Sequence, residues 1–392
     1  MNEAVIISAA RTPIGSFLGS LSGIKATELG SIAINGAIQR AGIRGGDVDE
    51  VIMGNVIGAG LGQAPARQAA LGAGLPDSVS ALTINKVCGS GLKAVMLAAQ
   101  AVIAGDANVV VAGGMENMSR VPYMVEDVRK GSRMGHGQFT DLMIIDGLWD
   151  VYNDFHMGMT GELVADRYKI DRGEQDKYAY NSYLKALKAI KEGRFQEEIV
   201  PVSLPRKKGN RLIVDTDEDP RKTSLKDLAR LNPVFKDGGT VTAGNAPGLN
   251  DGGAAVVVTT VKKARELKLK PMAKITGYAS GGIEPKWVMM APPIAIRNLL
   301  EKTGLSLSDI DIIELNEAFS AAAIAVIREL GLDEKKVNIN GGAVALGHPL
   351  GATGAIILVK LLYAMKNLNL NRGLVTLCLG GGNAVAMIVE KQ

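Results

Sequence analysis

The chain contains two cysteines, Cys88 and Cys378, and each lies in a glycine-rich turn. Cys88 precedes Gly89 and Gly91 at the start of a long apolar segment, and Cys378 follows an apolar run and precedes three glycines at 380–382. A sulfur at such a junction lies near free backbone N–H groups, which favour a thiolate and can stabilise an oxyanion. Buried structural thiols are the alternative for cysteines in general. The flanking glycines, which cost backbone entropy, favour chemistry at both positions.

His348 is the second chemical candidate, one of three histidines in the chain. Five glycines and a proline between residues 340 and 354 predict a fixed loop around it, between a strand and a helix. A histidine held in this way suits acid–base chemistry, and Cys with His is a nucleophile with its base. A second thiol, with an ordinary pKa of about 8.5, suits proton exchange with a weak carbon acid. Asn316 ends an apolar strand and opens a helix, so a helix N-cap and a catalytic role are both open there.

An internal repeat predicts the elements that position these residues. Residues 33–53 match residues 295–315 after a shift of 262 positions. Each copy predicts a helix, a glycine C-cap (Gly42 or Gly304), a short loop and an apolar strand. The second copy closes with a strand directly after its glycine turn, whereas the first copy inserts residues 119–249 before its closing strand. The sequence therefore predicts a duplicated βαβαβαββ unit with an inserted loop domain.

The predicted fold class is α/β, with two lobes packed as five α-β-α-β-α layers and mostly parallel sheets. The N-terminal lobe is 1–118, completed by 250–270, the inserted domain is 119–249, and the C-terminal lobe is 271–392. Ligands of open parallel sheets collect at the carboxyl ends of the strands. The pseudo-twofold relation can bring four residues that follow strands to one pocket: Cys88, Asn316, His348 and Cys378.

Composition excludes several other classes of protein. A chain with 47% hydrophobic residues, 4% aromatic residues and 48 glycines suits α/β layers of Ala, Val, Ile and Leu. A net charge of +4 allows an anionic small ligand but does not indicate a nucleic-acid surface. Two distant cysteines indicate a reducing compartment, and the start of the chain lacks the signal-peptide pattern. No apolar run approaches a membrane span of about 20 residues, so we expect a soluble, cytoplasmic protein.

Four blocks resemble those of the thiolase family, of the acetyl-CoA C-acetyltransferase type, and the resemblance covers the whole chain. The blocks lie at residues 85–91, 316–319, 347–351 and 378–382. The resemblance implies a reversible Claisen condensation of two acetyl-CoA to acetoacetyl-CoA and CoA. It implies acetyl-CoA, acetoacetyl-CoA and CoA as the small-molecule partners, and a homotetramer, a dimer of dimers, as the assembly. It implies no metal or redox cofactor.

The resemblance also implies a role for each catalytic candidate. Cys88 would accept the acyl group, and His348 would activate it. Cys378 would deprotonate the α-carbon of the second acetyl-CoA. Asn316 would hold a water that, with His348, stabilises the enolate, and the backbone N–H groups of Cys88 and Gly380 would form a second oxyanion hole.

CoA would lie along the inserted domain. The resemblance assigns pantetheine and acyl-pocket contacts to His156, Met157 and Phe235, and places Arg221 near the adenine nucleotide. Three further residues complete the expected CoA contacts: Ala243, Pro247 and Phe319. The basic stretch of Arg206, Lys207 and Lys208 is interpreted as a solvated charge run, and His136 as structural or exposed.

Three segments depart from the family pattern. Pro247 stands where a serine usually binds CoA, so a hydroxyl and a backbone N–H are both absent there. Asn383 and Ala384 replace a common Gln-Gly pair, and residues 287–292 replace a stretch of small residues. These changes bear on chain length and rate more than on reaction type. Three alternatives remain: a broad-range 3-ketoacyl-CoA thiolase of fatty-acid β-oxidation, a non-catalytic acyl-CoA-binding protein, and a ketosynthase-like enzyme, which the shortage of histidines disfavours.

Overall fold

A computed structural model describes residues 2–131, 133–205 and 210–392. The basic stretch of Arg206, Lys207 and Lys208 lies outside the described residues. The α-helices of the described chain are α1 (Ala26–Ala41), α2 (Pro65–Gly72), α3 (Ser90–Ala104), α4 (Gly158–Tyr168), α5 (Arg172–Lys191), α6 (Leu225–Ala229), α7 (Val261–Glu266), α8 (Pro292–Thr303), α9 (Ser320–Leu330), α10 (Ala343–Leu346) and α11 (Leu350–Leu368). The strands are β1 (Ala4–Arg11), β2 (Gly15–Ser16), β3 (Glu50–Gly54), β4 (Ser80–Ile84), β5 (Val109–Asn117), β6 (Tyr123–Met124), β7 (Thr140–Asp141), β8 (Trp149–Asp150), β9 (Phe155–His156), β10 (Val202–Pro205), β11 (Arg211–Val214), β12 (Asn250–Thr260), β13 (Ala273–Gly282), β14 (Ile312–Leu315), β15 (Arg372–Leu379) and β16 (Asn383–Lys391).

The predicted repeat is present in the sheet topology. The first half runs β4-β3-β5-β12-β1 and the second runs β13-β16-β15-β14, and the two halves join through an antiparallel β1–β13 contact. An isolated parallel bridge between Ile313 and Val337 stands where the first copy has its β3–β4 pair. Gly42 and Gly304 close their helices with φ values of 69° and 68°, a conformation that glycine adopts without strain. The duplicated βαβαβαββ fold is therefore confirmed.

The expectation of mostly parallel sheets is wrong in part. The pairs β3–β4, β3–β5 and β14–β15 are parallel, but β12 and β16 run antiparallel to both of their neighbours. Only three glycines separate β15 from β16, and a connection this short can join antiparallel strands only.

The five layers are visible in how the apolar residues group. Helices α1 and α2 cover one face of the first half-sheet, and α8 and α9 cover the outer face of the second. Helices α3 and α11 form the middle layer, where their N-terminal turns touch at two glycines. A Cβ on Gly91 would lie 2.7 Å from the Ala355 nitrogen, and one on Gly354 would lie 2.5 Å from the Leu92 nitrogen. This close approach brings together the segments that precede the two helices.

The inserted segment carries the short strands β6 to β11, the helices α4 to α6 and a π-helical turn at Met143–Leu148. Fully buried Arg11 of β1 ties it to the first lobe, with 2.7 Å contacts to both Glu198 and Asp217. Ion pairs this deeply buried fix the relative position of the segments that they join. The domain boundaries proposed from the sequence remain predictions.

Two segments, Val87–Ala104 and Leu350–Leu368, are long and apolar enough to cross a membrane by length and composition. Their lengths of 18 and 19 residues contradict the expectation that no apolar run approaches a membrane span. The fold buries 56% of the first and 89% of the second, which is how a core helix of a globular protein packs.

Candidate active site

One apolar cavity, hereafter the central cavity, opens between the two lobes and the inserted segment, with a volume of about 550 Å³. Its lining includes four of the five predicted catalytic residues: Cys88, His348, Cys378 and Gly380. All seven predicted CoA-contacting residues also line it: His156, Met157, Arg221, Phe235, Ala243, Pro247 and Phe319. Asn316 is the predicted site residue that does not line the cavity.

The turn that carries Cys88 is held by two side chains. Asn85 accepts a 2.9 Å hydrogen bond from the Val87 N–H, and the Ser90 hydroxyl accepts from the Lys86 N–H at 2.8 Å and donates to the Val87 carbonyl at 2.6 Å. Val87 adopts φ of 47°, a left-handed conformation that is strained for a β-branched residue. The turn thus holds the sulfur at a fixed position directly before α3.

The two cysteine turns pack against each other. A Cβ on Gly89 would lie 2.1 Å from the Leu379 side chain, and one on Gly380 would lie 3.2 Å from the Val87 side chain. Residues adjacent to each cysteine therefore touch, so the two turns lie side by side at the cavity.

Both cysteines are neutral thiols in the unliganded protein. Burial raises the pKa of Cys88 to about 12, although the Gly380 and Cys88 N–H groups oppose the shift. Burial, and then the neighbouring Cys88, raise the pKa of Cys378 to about 12 as well. The expectation that these turns favour a thiolate is contradicted, because desolvation outweighs the two backbone donors at Cys88, although its side chain is half-buried, and the single backbone donor at buried Cys378. A proton acceptor is therefore required before the Cys88 sulfur can act as a nucleophile.

His348 is such an acceptor. Its backbone N–H donates to Asn250 Oδ1 at 2.7 Å, and its ring Nδ1 lies 2.7 Å from the Thr353 hydroxyl, which also lies 2.9 Å from the Pro349 carbonyl. Both contacts are hydrogen bonds only if Nδ1 carries the proton, Thr353 accepts it, and the hydroxyl donates to Pro349. That tautomer leaves Nε2 unprotonated. Burial lowers the pKa of His348 to about 4, so the ring is neutral at neutral pH.

Asn316 does not cap a helix. Helix α9 begins at Ser320 with Phe319 as its N-cap, and the Asn316 backbone N–H is bonded to the Thr376 carbonyl across the β14–β15 pair. Its amide nitrogen and oxygen are buried and have no hydrogen-bond partner among the described residues. An unsatisfied buried amide costs free energy and is suited to binding a polar molecule.

The comparisons with known proteins agree on one family. The family model "Thiolase, N-terminal domain" matches residues 4–262, and "Thiolase, C-terminal domain" matches residues 269–391. The chain belongs to the thiolase family. Proteins named acetyl-CoA acetyltransferase from Pseudomonas aeruginosa and Cupriavidus necator are 52% and 53% identical, each over 100% of both chains. A crystal structure titled as the Bacillus anthracis acetyl-CoA acetyltransferase is 43% identical with a TM-score of 0.98, and the match covers 100% of this chain and 99% of that one.

Part of the cavity lining in this thiolase is aromatic. The rings of His156 and Phe235 stack with centroids 4.7 Å apart, and Phe235 meets Phe319 edge-on at 6.2 Å. His156 Nδ1 accepts a 3.0 Å hydrogen bond from the Gly158 N–H, and burial lowers the His156 pKa, so the ring is neutral. A Cβ on Gly158 would lie 2.2 Å from the Phe235 ring, so glycine is required there for the stack to form.

Arg221 lies at the rim of the cavity. Its guanidinium donates to the Tyr183 hydroxyl and to the Ala243 carbonyl, both at 3.1 Å, and is otherwise exposed. Half-buried Pro247 lines the same rim and offers no N–H and no hydroxyl. His136 is exposed, as expected.

Four residues that position the site were not predicted from the sequence. Asn250 holds the His348 backbone and Thr353 holds its ring, as described above. The buried carboxylate of Glu116 accepts hydrogen bonds from Asn55, Val56, Ile57 and Gly351, and so ties the start of α11 to the loop after β3. Met289 Sδ lies 3.6 Å from Cys378 Sγ. None carries a local signal of its own except Thr353, whose position five residues after His348 lies within the recognised glycine-rich loop.

Among the described residues no group of three or more His, Cys, Asp or Glu is arranged to hold a metal ion.

Proposed function

We propose that this protein is an acetyl-CoA acetyltransferase that condenses two acetyl-CoA to acetoacetyl-CoA and CoA, reversibly, through an acyl-Cys88 intermediate. The observation that carries the proposal is the lining of one apolar cavity by two neutral thiols and one neutral imidazole. The names of the full-length relatives from Pseudomonas aeruginosa and Cupriavidus necator support the same reaction.

The first half-reaction transfers the acyl group. His348 Nε2 accepts the Cys88 thiol proton as the sulfur attacks the thioester carbonyl, and the Gly380 and Cys88 N–H groups stabilise the resulting oxyanion. Fixed donors of this kind are worth about 3 to 4 kcal/mol each. When the tetrahedral intermediate collapses, the CoA sulfur leaves and takes its proton from Cys378. The enzyme then holds an acyl-Cys88, an imidazolium and the Cys378 thiolate.

The second half-reaction forms the carbon–carbon bond. The Cys378 thiolate removes a proton from the α-carbon of a second acetyl-CoA, and protonated His348, with a water held by Asn316, stabilises the enolate. The enolate carbon attacks the acyl carbonyl, the Cys88 sulfur leaves, and His348 returns its proton to it. The raised pKa of Cys378 suits this step, because a more basic thiolate is better matched to a weak carbon acid.

The CoA moiety leads out of the cavity past the stacked His156 and Phe235 and the Arg221 guanidinium, with CoA thioesters as the only small-molecule partners. We extend the proposal to a cytoplasmic homotetramer, a dimer of dimers, that uses no metal or redox cofactor and binds no nucleic acid or membrane. The inserted segment supports self-association because it exposes apolar side chains, among them Tyr123, Val128, Met134 and Phe139. Light scattering on the purified protein measures the assembly directly.

Thiolysis of acetoacetyl-CoA by CoA tests the reaction. The purified protein should cleave it and should accumulate an acetyl group on Cys88, visible by mass spectrometry after rapid quenching. Cys88→Ala should abolish turnover and labelling, whereas Cys378→Ala should lose cleavage of acetoacetyl-CoA but still be labelled on Cys88 by acetyl-CoA, because a thiolate leaves more readily than an enolate carbon when no acid protonates it. An active Cys88→Ala variant would refute the acyl-enzyme route. Faster cleavage of longer 3-ketoacyl-CoAs than of acetoacetyl-CoA would favour the broad-range alternative.

A further inference from the structure

The Met289 side chain contacts the Cys378 sulfur. It belongs to the 3-10 turn Pro285–Met290, its Sδ lies 3.6 Å from Cys378 Sγ, and it is 3% exposed while still lining the central cavity. This turn is one of the segments where the sequence departs from the small residues typical of the family. We propose that Met289 is a specificity-determining residue that excludes thioesters with a substituent on the α-carbon. The inference rests on the proposed function.

The role of Met289 follows from the substrate atom with which Cys378 exchanges a proton. In the proposed reaction Cys378 exchanges a proton with the α-carbon, so that carbon must come within hydrogen-bond reach of Sγ. A side chain in van der Waals contact with the same sulfur borders the space around the α-carbon. The acyl chain, by contrast, extends from the carbon attached to Cys88. Met289 therefore limits α-branching and leaves the length of the acyl chain unaffected.

Methionine is unbranched and adaptable, so its exclusion of a substituent requires a fixed backbone. The turn is held by its neighbour Trp287, whose ring carries the Arg167 guanidinium of α4 at 4.5 Å from its centroid and the Lys286 ammonium at 5.9 Å. Two cations near the ring stabilise this position. Met289 also packs in one apolar cluster with Val288 and Phe319. The side chain thus has little room to retreat from an added methyl group.

The experiment compares two variants of the same turn. Met289→Ala opens the space beside Cys378, and Met290→Ala is the matched control, because Met290 is equally apolar and 6% exposed but does not line the cavity. Three substrates are thiolysed by each protein: acetoacetyl-CoA, its 2-methyl derivative and the linear 3-oxohexanoyl-CoA. A methyl group that a pocket admits or rejects changes kcat/KM by about 10- to 200-fold. We expect Met289→Ala to raise the ratio of 2-methyl to unbranched activity at least tenfold, and Met290→Ala to leave it within about twofold.

The outcomes separate this inference from the function on which it rests. Wild-type protein without thiolysis of acetoacetyl-CoA would overturn the proposed function itself. Active wild-type protein with an unchanged 2-methyl ratio in Met289→Ala would overturn only the role of Met289. So would an equal gain for 3-oxohexanoyl-CoA, since that would indicate general loosening of the cavity. If Met289→Ala lowers the melting temperature severely, Met289→Val makes the same comparison with a smaller change in volume.

Discussion

The contact between Thr353 and His348 is open to a direct test. Thr353→Val replaces the hydroxyl with a methyl group of similar shape, at a side chain that is 2% exposed. The change removes the acceptor 2.7 Å from Nδ1 and leaves a buried N–H without a partner. The imidazole escapes this cost by moving its proton to Nε2, and a ring protonated at Nε2 cannot accept a proton from Cys88.

The magnitude follows from the price of an unpaired donor. A buried donor that loses its partner costs about 1–3 kcal/mol. If the productive tautomer becomes less stable by that amount, kcat falls by about 5- to 150-fold, since each 1.36 kcal/mol is tenfold in rate. Thr353 does not line the central cavity, so KM should stay within about twofold. Thr353→Ser keeps the hydroxyl and should retain kcat within about threefold.

Steady-state thiolysis of acetoacetyl-CoA, with kcat and KM measured separately for the wild type and both variants, checks this reasoning. A thermal melt of each protein distinguishes a tautomer effect from unfolding. The assignment of the His348 tautomer to Thr353 is refuted if Thr353→Val keeps the wild-type kcat. It is also refuted if the kcat of Thr353→Ser falls as far as that of Thr353→Val. A rise in KM with constant kcat would also contradict it, because that pattern reports lost substrate binding.

Three further outcomes follow from the same geometry. The raised pKa predicts that the rate of Cys88 alkylation by iodoacetamide keeps rising tenfold per pH unit from pH 7 to at least pH 10; a plateau near pH 8.5 would show an ordinary thiol. Pro247→Ser restores a hydroxyl and an N–H at the cavity rim, so the KM for CoA should fall by about fivefold, the worth of one hydrogen bond of about 1 kcal/mol, and an unchanged KM would show that CoA passes elsewhere. Gly114→Ala would place a Cβ 2.0 Å from the Gly351 carbonyl and should lower the free energy of unfolding by about 1–3 kcal/mol, whereas Gly23→Ala, with no atom within 4 Å, should not; equal melting temperatures for the two variants would contradict the close packing.

The repeat made the fold predictable because each copy carries the residues that end its helix and begin its next turn. Gly42 and Gly304 end equivalent helices, and Asp47 and Asp309 each accept a hydrogen bond from the backbone N–H three residues earlier. Local chemistry of this kind is visible in a sequence. The direction of the closing strands was predicted wrongly, because a buried strand has the same apolar residue pattern whether the neighbouring strand is parallel or antiparallel.

The cysteines and the histidine predicted from their turns line one cavity, but their protonation states could not be predicted from the sequence. A glycine-rich turn before a helix indicates backbone donors, and these are present at Cys88. How far burial opposes them depends on which side chains from the inserted segment and the second lobe close over the sulfur. Asn250, the first residue of β12, holds the His348 backbone from a position almost a hundred residues away in sequence. Contacts of this range carry no local signal.

The two copies of the repeat differ at the positions where the second copy carries Cys378 and Leu379. The Val109 carbonyl accepts a hydrogen bond from the Asp49 N–H, and the Arg372 carbonyl accepts one from the Asp311 N–H. These equivalent bonds align β5 of the first copy with β15 of the second, residue by residue. In that register the first copy carries Met115 and Glu116 where the second carries Cys378 and Leu379.

The two sides of the pseudo-twofold therefore make related contacts with different chemistry. On one side Leu379 packs against Gly89 beside the Cys88 sulfur, and on the other Glu116 accepts from the Gly351 N–H at 2.9 Å. Burial raises the pKa of Glu116 to about 7, opposed by the N–H groups of Val56, Gly351 and Ile57 and by Asn55. A carboxylate bound by four donors has no free lone pair for a substrate. The second copy of the site has become the hydrogen-bonded support that holds the start of α11, and with it His348, against the first.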